Sequence, residues 1–135
     1  MTIVVRRIEM KRFEILERLK LLNYARSEYW VVAGSAMLLH GIRETTNDID
    51  LGCTKALADA LESSGCKTVV MDDGTRKIKV AEDVEIFENW LFDDVVIIEG
   101  IPVISLKGLL EMKKRLGRAK DIEDIELIKE ALLKE

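Results

Sequence analysis

The strongest constraint in this sequence is the apolar run Trp30-Val31-Val32-Ala33, which stops at Gly34-Ser35 and is followed about a dozen residues later by Asp48-Ile49-Asp50-Leu51-Gly52-Cys53. The first run reads as a buried strand that turns into a helix, Ser35 to about His40, closed by Gly41. The second alternates polar and apolar residues as a half-buried strand does. Ile49, Leu51 and Cys53 should then enter a core while Asp48 and Asp50 project together from the other face. A chain with this pattern needs a sheet covered on one side, and the remaining segments must supply the cover.

They do so by pattern. From about Arg7 to Arg26 apolar residues recur mostly at three- and four-residue steps among charges, which predicts an amphipathic helix. Lys55–Ser64 reads as a helix stopped by Gly65. Lys67–Met71 and Arg76–Val80, joined by Asp72-Asp73-Gly74, read as a hairpin. Val84–Glu88 and Val95–Glu99 are strand candidates, the run Val95–Ile98 being expected as a buried strand. Gly100-Ile101-Pro102 is expected to turn into a short Val103-Ile104. Ser105 looks like a helix cap, Gly117 breaks the helix it opens, and Ile122–Leu133 resumes it. Helices bracket a central sheet, so the fold class is α/β or α+β with two layers.

Its 135 residues include one proline and no Gly/Ser/Pro-rich linker, which predicts a single domain over residues 1–135. With 48% hydrophobic and 34% charged residues the chain can offset the entropy of ordering, which excludes disordered and low-complexity classes. No apolar run is long enough to cross a bilayer, and the apolar part of MTIVVRRIEM is too short for a signal peptide, so no membrane association and a cytoplasmic location are expected. Cys53, Cys66 and His40 form no disulfide framework or zinc motif. A net charge of −4 argues against a surface that grips nucleic acid everywhere, although local basic clusters could do so.

The chemistry sits in the first feature. A strand ending in Gly34-Ser35 and opening a helix presents backbone N–H groups where a phosphate binds readily. Asp48 and Asp50 side by side repel each other unless a cation lies between them, and Mg²⁺ favours one or two carboxylates, waters and substrate phosphate oxygens. Glu85, alternating between Val84 and Ile86, would add a third carboxylate from a neighbouring strand. Together these residues suit metal-assisted phosphoryl transfer, with two Mg²⁺ ions steadying the attacking oxygen and the leaving pyrophosphate.

The stretch V-V-A-G-S-A-M-L-L-H-G-I-R-E-T-T-N-D-I-D-L resembles the nucleotidyltransferase superfamily signature. Its ending, Arg43 to Leu51, and the later I-S-L-K-G-L-L-E-M-K-K-R-L-G-R-A-K-D-I-E-D-I-E-L-I are similar to the group that includes the abortive-infection AbiE-type toxins. The resemblance implies a minimal nucleotidyltransferase fold, a mixed sheet with helices mainly on one face and an open acidic cleft. It implies that Gly34 and Ser35 hold the triphosphate, Asp48 and Asp50 bind Mg²⁺, and Glu85 takes the third acidic position. Lys113 would approach the phosphates, and Asp121 would orient Lys113 or act near the acceptor. Two departures stand out: Glu replaces the Asp common at the third position, and the large extra domain by which many relatives hold an acceptor is missing. A dimer mate, an antitoxin-like partner or the short helices must then hold it. The activity implied is Mg²⁺-dependent transfer of a nucleoside monophosphate from an NTP such as ATP to a hydroxyl of tRNA, protein or a small molecule, within a toxin–antitoxin pair or outside one. The rival reading is a non-catalytic NTP-binding or protein-interaction module on the same fold.

Each residue also has a plainer reading. Lys113, Lys114, Arg115, Arg118 and Lys120 could contact triphosphate or RNA, yet cations at a helix end stabilise its dipole, and Glu111 with Arg115 is an ordinary i,i+4 pair. Arg43, a further candidate for nucleotide binding, lies in the loop before the acids, where many arginines only meet solvent. His40 reads as a cap for helix carbonyls, Cys53 and Cys66 as inert thiols, and Trp30 and Trp90 as core rather than base-stacking rings.

Overall fold

A computed structural model describes residues 9–135. The expected positions Arg7 and Ile8 of the first helix, like most of the MTIVVRRIEM start, lie outside the described residues. Among the described residues seven strands form one mixed sheet: β1 (Tyr29–Val32), β2 (Ile49–Cys53), β3 (Lys67–Val70), β4 (Arg76–Ala81), β5 (Val84–Glu88), β6 (Val95–Ile98) and β7 (Ile101–Ile104). Their order is β3-β4-β5-β2-β1-β7-β6, with β2/β5 and β1/β7 parallel and the other pairs antiparallel. The helices are α1 (Arg12–Leu22), α2 (Ala33–Leu39), α3 (Lys55–Ser63), α4 (Leu106–Leu116) and α5 (Ile122–Leu133). The fold is α+β.

The alternation read from the sequence is realised in the sheet. Val31, Ile49, Leu51, Ile78, Val84 and Ile86 are fully buried. Helix α2 packs on β1, β2 and β7, α3 packs on β4, and α1 and α4 pack against α2. Between those positions Asp50, Glu85 and Lys79 come into register on the opposite face, Asp50 beside Glu85 and Glu85 beside Lys79. Ser105 caps α4 by accepting from the Gly108 amide at 3.0 Å. Gly117 ends the helix in the left-handed region, at φ 57°.

Several expectations are corrected. Helix α1 is shorter than predicted because Asn23, at φ 53°, ends it. The turn expected at Gly100-Ile101-Pro102 lies one residue earlier: Glu99 and Gly100 both have positive φ, and Ile98 faces Ile101 across a two-residue hairpin. Pro102 sits inside β7 opposite Ile97. In a hairpin of this kind that position falls in a non-hydrogen-bonded pair, so β6 loses nothing by the missing N–H. The run Val95–Ile98 is an edge strand rather than a buried one, with Ile97 66% exposed, because among the described residues no strand lies beyond it. Arg115 lies over the Phe92 ring, 4.7 Å from its centroid, instead of pairing with Glu111. His40 does cap α2, but through its backbone N–H, which donates to the Ala36 carbonyl at 2.9 Å; its ring Nε2 meets the Ile104 carbonyl at 2.8 Å and ties α2 to β7.

Gly52 is fixed by packing. Opposite it on β1, the Trp30 indole crosses the position, and a Cβ there would overlap the ring. The indole N–H donates to the Trp90 carbonyl at 3.0 Å, so the ring also anchors the loop after β5. Gly52→Ala should therefore cost about 1–3 kcal/mol, read as a lowered urea midpoint. An unchanged midpoint would mean that the indole is free to move aside.

Candidate active site

The bend from β1 into α2 forms the floor of the site. Ala33 holds φ 56°, a left-handed conformation that costs a residue with a Cβ about 1–2 kcal/mol. At the next residue, Gly34, a Cβ would sit 2.6 Å from Arg43 Nη1 and 3.2 Å from Thr46 Oγ1, so a side chain there would push the guanidinium end of Arg43 aside. The Ser35 side chain is turned inward and only 1% of the residue is exposed. Its hydroxyl donates to the Val32 carbonyl at 2.9 Å and accepts from the Asp50 amide at 3.3 Å. Ser35 thus contributes to the site by tying the bend to the acid strand, and its hydroxyl is spent there.

Asp48 and Asp50 line two adjoining cavities, of about 300 and 470 Å³. The smaller is a cationic lobe, reached by Arg43, Lys113, Arg118 and Lys120. Lys113 is 5% exposed, its ammonium held by Asp121 at 3.2 Å and by Asp124 at 3.1 Å. Arg118 donates to both Asp121 oxygens, at 2.7 and 3.0 Å, and Arg43 donates to Asp124 at 2.8 Å. These pairs hold the Asp121 carboxyl down at about 2, the Arg118 bond contributing most. The larger lobe is walled by Phe87 and Trp90, with Glu85 at its side.

The sequence-predicted residues therefore meet around these two lobes: Gly34, Arg43, Asp48, Asp50, Lys113, Arg118 and Asp121 at the first, and Asp48, Asp50, Glu85 and Arg118 at the second. Of the basic cluster, Lys114 and Arg115 line neither. Two features escaped the sequence reading. Asp124 joins Arg43 to Lys113, and only its spacing from Asp121, one helical turn, could have signalled it. Trp90, expected as core, is half-buried and faces the larger lobe.

Asp50 carries the electrostatic signature of the site. Burial, then the neighbouring Asp48 and Glu85, push its carboxyl up to about 6, against the pull of Lys113 and Arg118. This donor chemistry suits a divalent cation held by Asp48 and Asp50, with its other ligands from water and phosphate oxygens. Among the described residues no three carboxylate, histidine or cysteine side chains converge to enclose an ion alone. Glu85 is engaged by Lys77 at 3.4 Å.

No sequence family and no curated protein matches the chain by sequence. Solved structures do match it. The candidate nucleotidyltransferase TM1012 of Thermotoga maritima superposes with a TM-score of 0.59 at 21% identity, covering 93% of this chain and 97% of that one. The fold is that of the nucleotidyltransferases. The lincosamide antibiotic adenylyltransferase LnuA, solved with lincomycin, matches at a TM-score of 0.52 and 18% identity, over 87% of this chain and 93% of that one. ANT(2″)-Ia, solved with adenylyl-2″-tobramycin, matches at 0.53 and 18%, over 89% of this chain and 86% of that one. At these identities the nucleotidyltransferase likeness is one of architecture, and the bend, acid strand and cationic helix end described above are this chain's own.

The Asp50 shift fixes a sign for stability. Below about pH 3 native and unfolded chains both carry Asp50 protonated and no penalty arises, and it is still small near pH 4. As pH rises from the unfolded value of 3.8 to about 6 the unfolded chain ionises while the native state holds its proton, and above that the native charge is opposed by its surroundings, a full cost on the order of 3 kcal/mol. Without divalent cations Asp50→Asn should melt several degrees higher than the parent at pH 8, the gap closing near pH 4. Thermal unfolding at the two pH values checks this, and a variant no more stable at pH 8 would contradict it.

Proposed function

We propose that the chain is a nucleotidyltransferase, moving a nucleoside monophosphate from an NTP to a hydroxyl acceptor with release of pyrophosphate. The observation that carries this reading is the placement of Asp48 and Asp50 between a cationic lobe and an aromatic one. In it, the cationic lobe holds the β- and γ-phosphates: Arg43, Lys113 and Arg118 balance their charge, and Gly34 lets the chain lie close. Asp121 and Asp124 keep Lys113 fixed, so little reorganisation is needed as charge shifts toward the pyrophosphate. Asp48 and Asp50 would hold Mg²⁺, with Glu85 beside them in register and a second ion drawing mainly on substrate oxygens. What Mg²⁺ supplies when bound is charge cancellation at the α-phosphate and on the departing pyrophosphate. The finer assignment to the AbiE-type group, and with it a toxin role on tRNA, rests on the motifs at Arg43–Leu51 and Arg118–Asp121.

The test is pyrophosphate release from each NTP with Mg²⁺, offered RNA, protein and small-molecule acceptors. Asp48→Asn and Asp50→Asn should each lose at least about a hundredfold in rate while staying folded. Full rates in both variants would refute the assignment. Nucleotide bound without pyrophosphate release from any acceptor class would favour the non-catalytic module.

A further inference from the structure

We propose that the aromatic lobe beside Asp48 and Asp50 is the acceptor subsite, and that the acceptor is a small hydroxylated organic cation with an apolar face. This rests on the nucleotidyl-transfer reading above. Phosphoryl transfer places the attacking and leaving oxygens roughly in line. With the pyrophosphate among Arg43, Lys113 and Arg118, a hydroxyl attacking in line finds room in the second lobe, which shares Asp48 and Asp50 with the first and extends away to Phe87 and Trp90. The acceptor oxygen then bonds to the α-phosphorus as the bond to pyrophosphate breaks. The electron pair leaves with pyrophosphate, and the hydroxyl proton passes to water.

Phe87 and Trp90 stand with ring centroids 4.8 Å apart and planes tilted by 49°, and Met71 and Leu116 extend the apolar wall. A volume of about 470 Å³ fits a small ligand rather than a folded macromolecule. The lobe's charge is mostly negative. Beyond the two aspartates, which the metal would occupy, it offers Glu85 and Asp73, while its only lining cation among the described residues is Arg118, which the transfer reading gives to the phosphates of the other lobe. Glu88, also at its edge, is tied to Arg76 at 2.7 Å, and Lys77 partly balances Glu85. Asp73 is held in place, one oxygen accepting from the Thr75 amide at 2.9 Å and hydroxyl at 2.6 Å. Aromatic faces next to carboxylates attract an organic ammonium. A nucleic-acid strand stacked on the same rings would need cations along its phosphates and would meet carboxylates instead.

Calorimetric titration of the full chain with 2-naphthylmethylammonium and with 2-naphthylacetate compares one ring system with opposite charges. The ammonium should bind at least ten times more tightly than the acetate. Asp73→Asn, which keeps an acceptor for Thr75, and Trp90→Leu should each weaken it several-fold and leave ATP affinity unchanged. Equal or reversed preference would overturn the proposal. So would displacement of the ammonium by a single-stranded CCA trinucleotide, which would assign the lobe to RNA, or by ATP, which would assign it to the nucleobase. No turnover is involved, so this result is separable from pyrophosphate release: release with RNA but no ammonium binding sinks the subsite alone, and ammonium binding without any release sinks the transfer reading.

Discussion

The site depends on one buried hydroxyl. Ser35 Oγ bonds the Val32 carbonyl on one side and the Asp50 amide on the other, sealed from water beneath the bend. That contact fixes the end of β1, the start of α2 and the acid-bearing strand as one unit, and the β1/β2 register, Val32 beside Asp50, follows the same alignment. Because the bend cannot drift from the aspartates, the cations that close over it from α4 and from the turn before α5 have a fixed target.

The electrostatics form two opposed halves. In one, Lys113, Arg118 and Arg43 share the two carboxylates of Asp121 and Asp124, so each cation is held in place while a net positive charge remains. In the other, Asp48, Asp50 and Glu85 are crowded on neighbouring positions, and Asp50 answers by holding its proton to about pH 6. Satisfied networks rigidify a fold, whereas crowded like charges cost stability and are kept where a ligand relieves them. The contrast between the halves is the physical content of the functional reading.

Much of this was legible in the sequence because it rested on period and spacing. The alternation Asp48-Ile49-Asp50-Leu51 set the faces of β2, Val84-Glu85-Ile86 did the same for β5, and Ser105 and Gly117 marked the ends of α4. What escaped was set by tertiary partners. Nothing local shows that Val95–Ile98 ends at a sheet edge or that Trp90, packed partly against the core, also faces a cavity, and only the one-turn spacing from Asp121 hints that Asp124 bridges two cations. The inward turn of Ser35 was equally invisible, since a Gly-Ser bend supplies backbone N–H groups to a phosphate whichever way the hydroxyl points.

The central claim is that Asp48 and Asp50 share a divalent cation with a nucleotide lying against the bend. Water-proton relaxation of Mn²⁺, titrated into the protein with and without ATP, reports that shared site directly. The account predicts a strongly enhanced ternary signal in the parent chain and its loss in Asp50→Asn with ATP still bound. The same enhancement in Asp48→Asn and Asp50→Asn as in the parent would place the metal elsewhere and contradict the account.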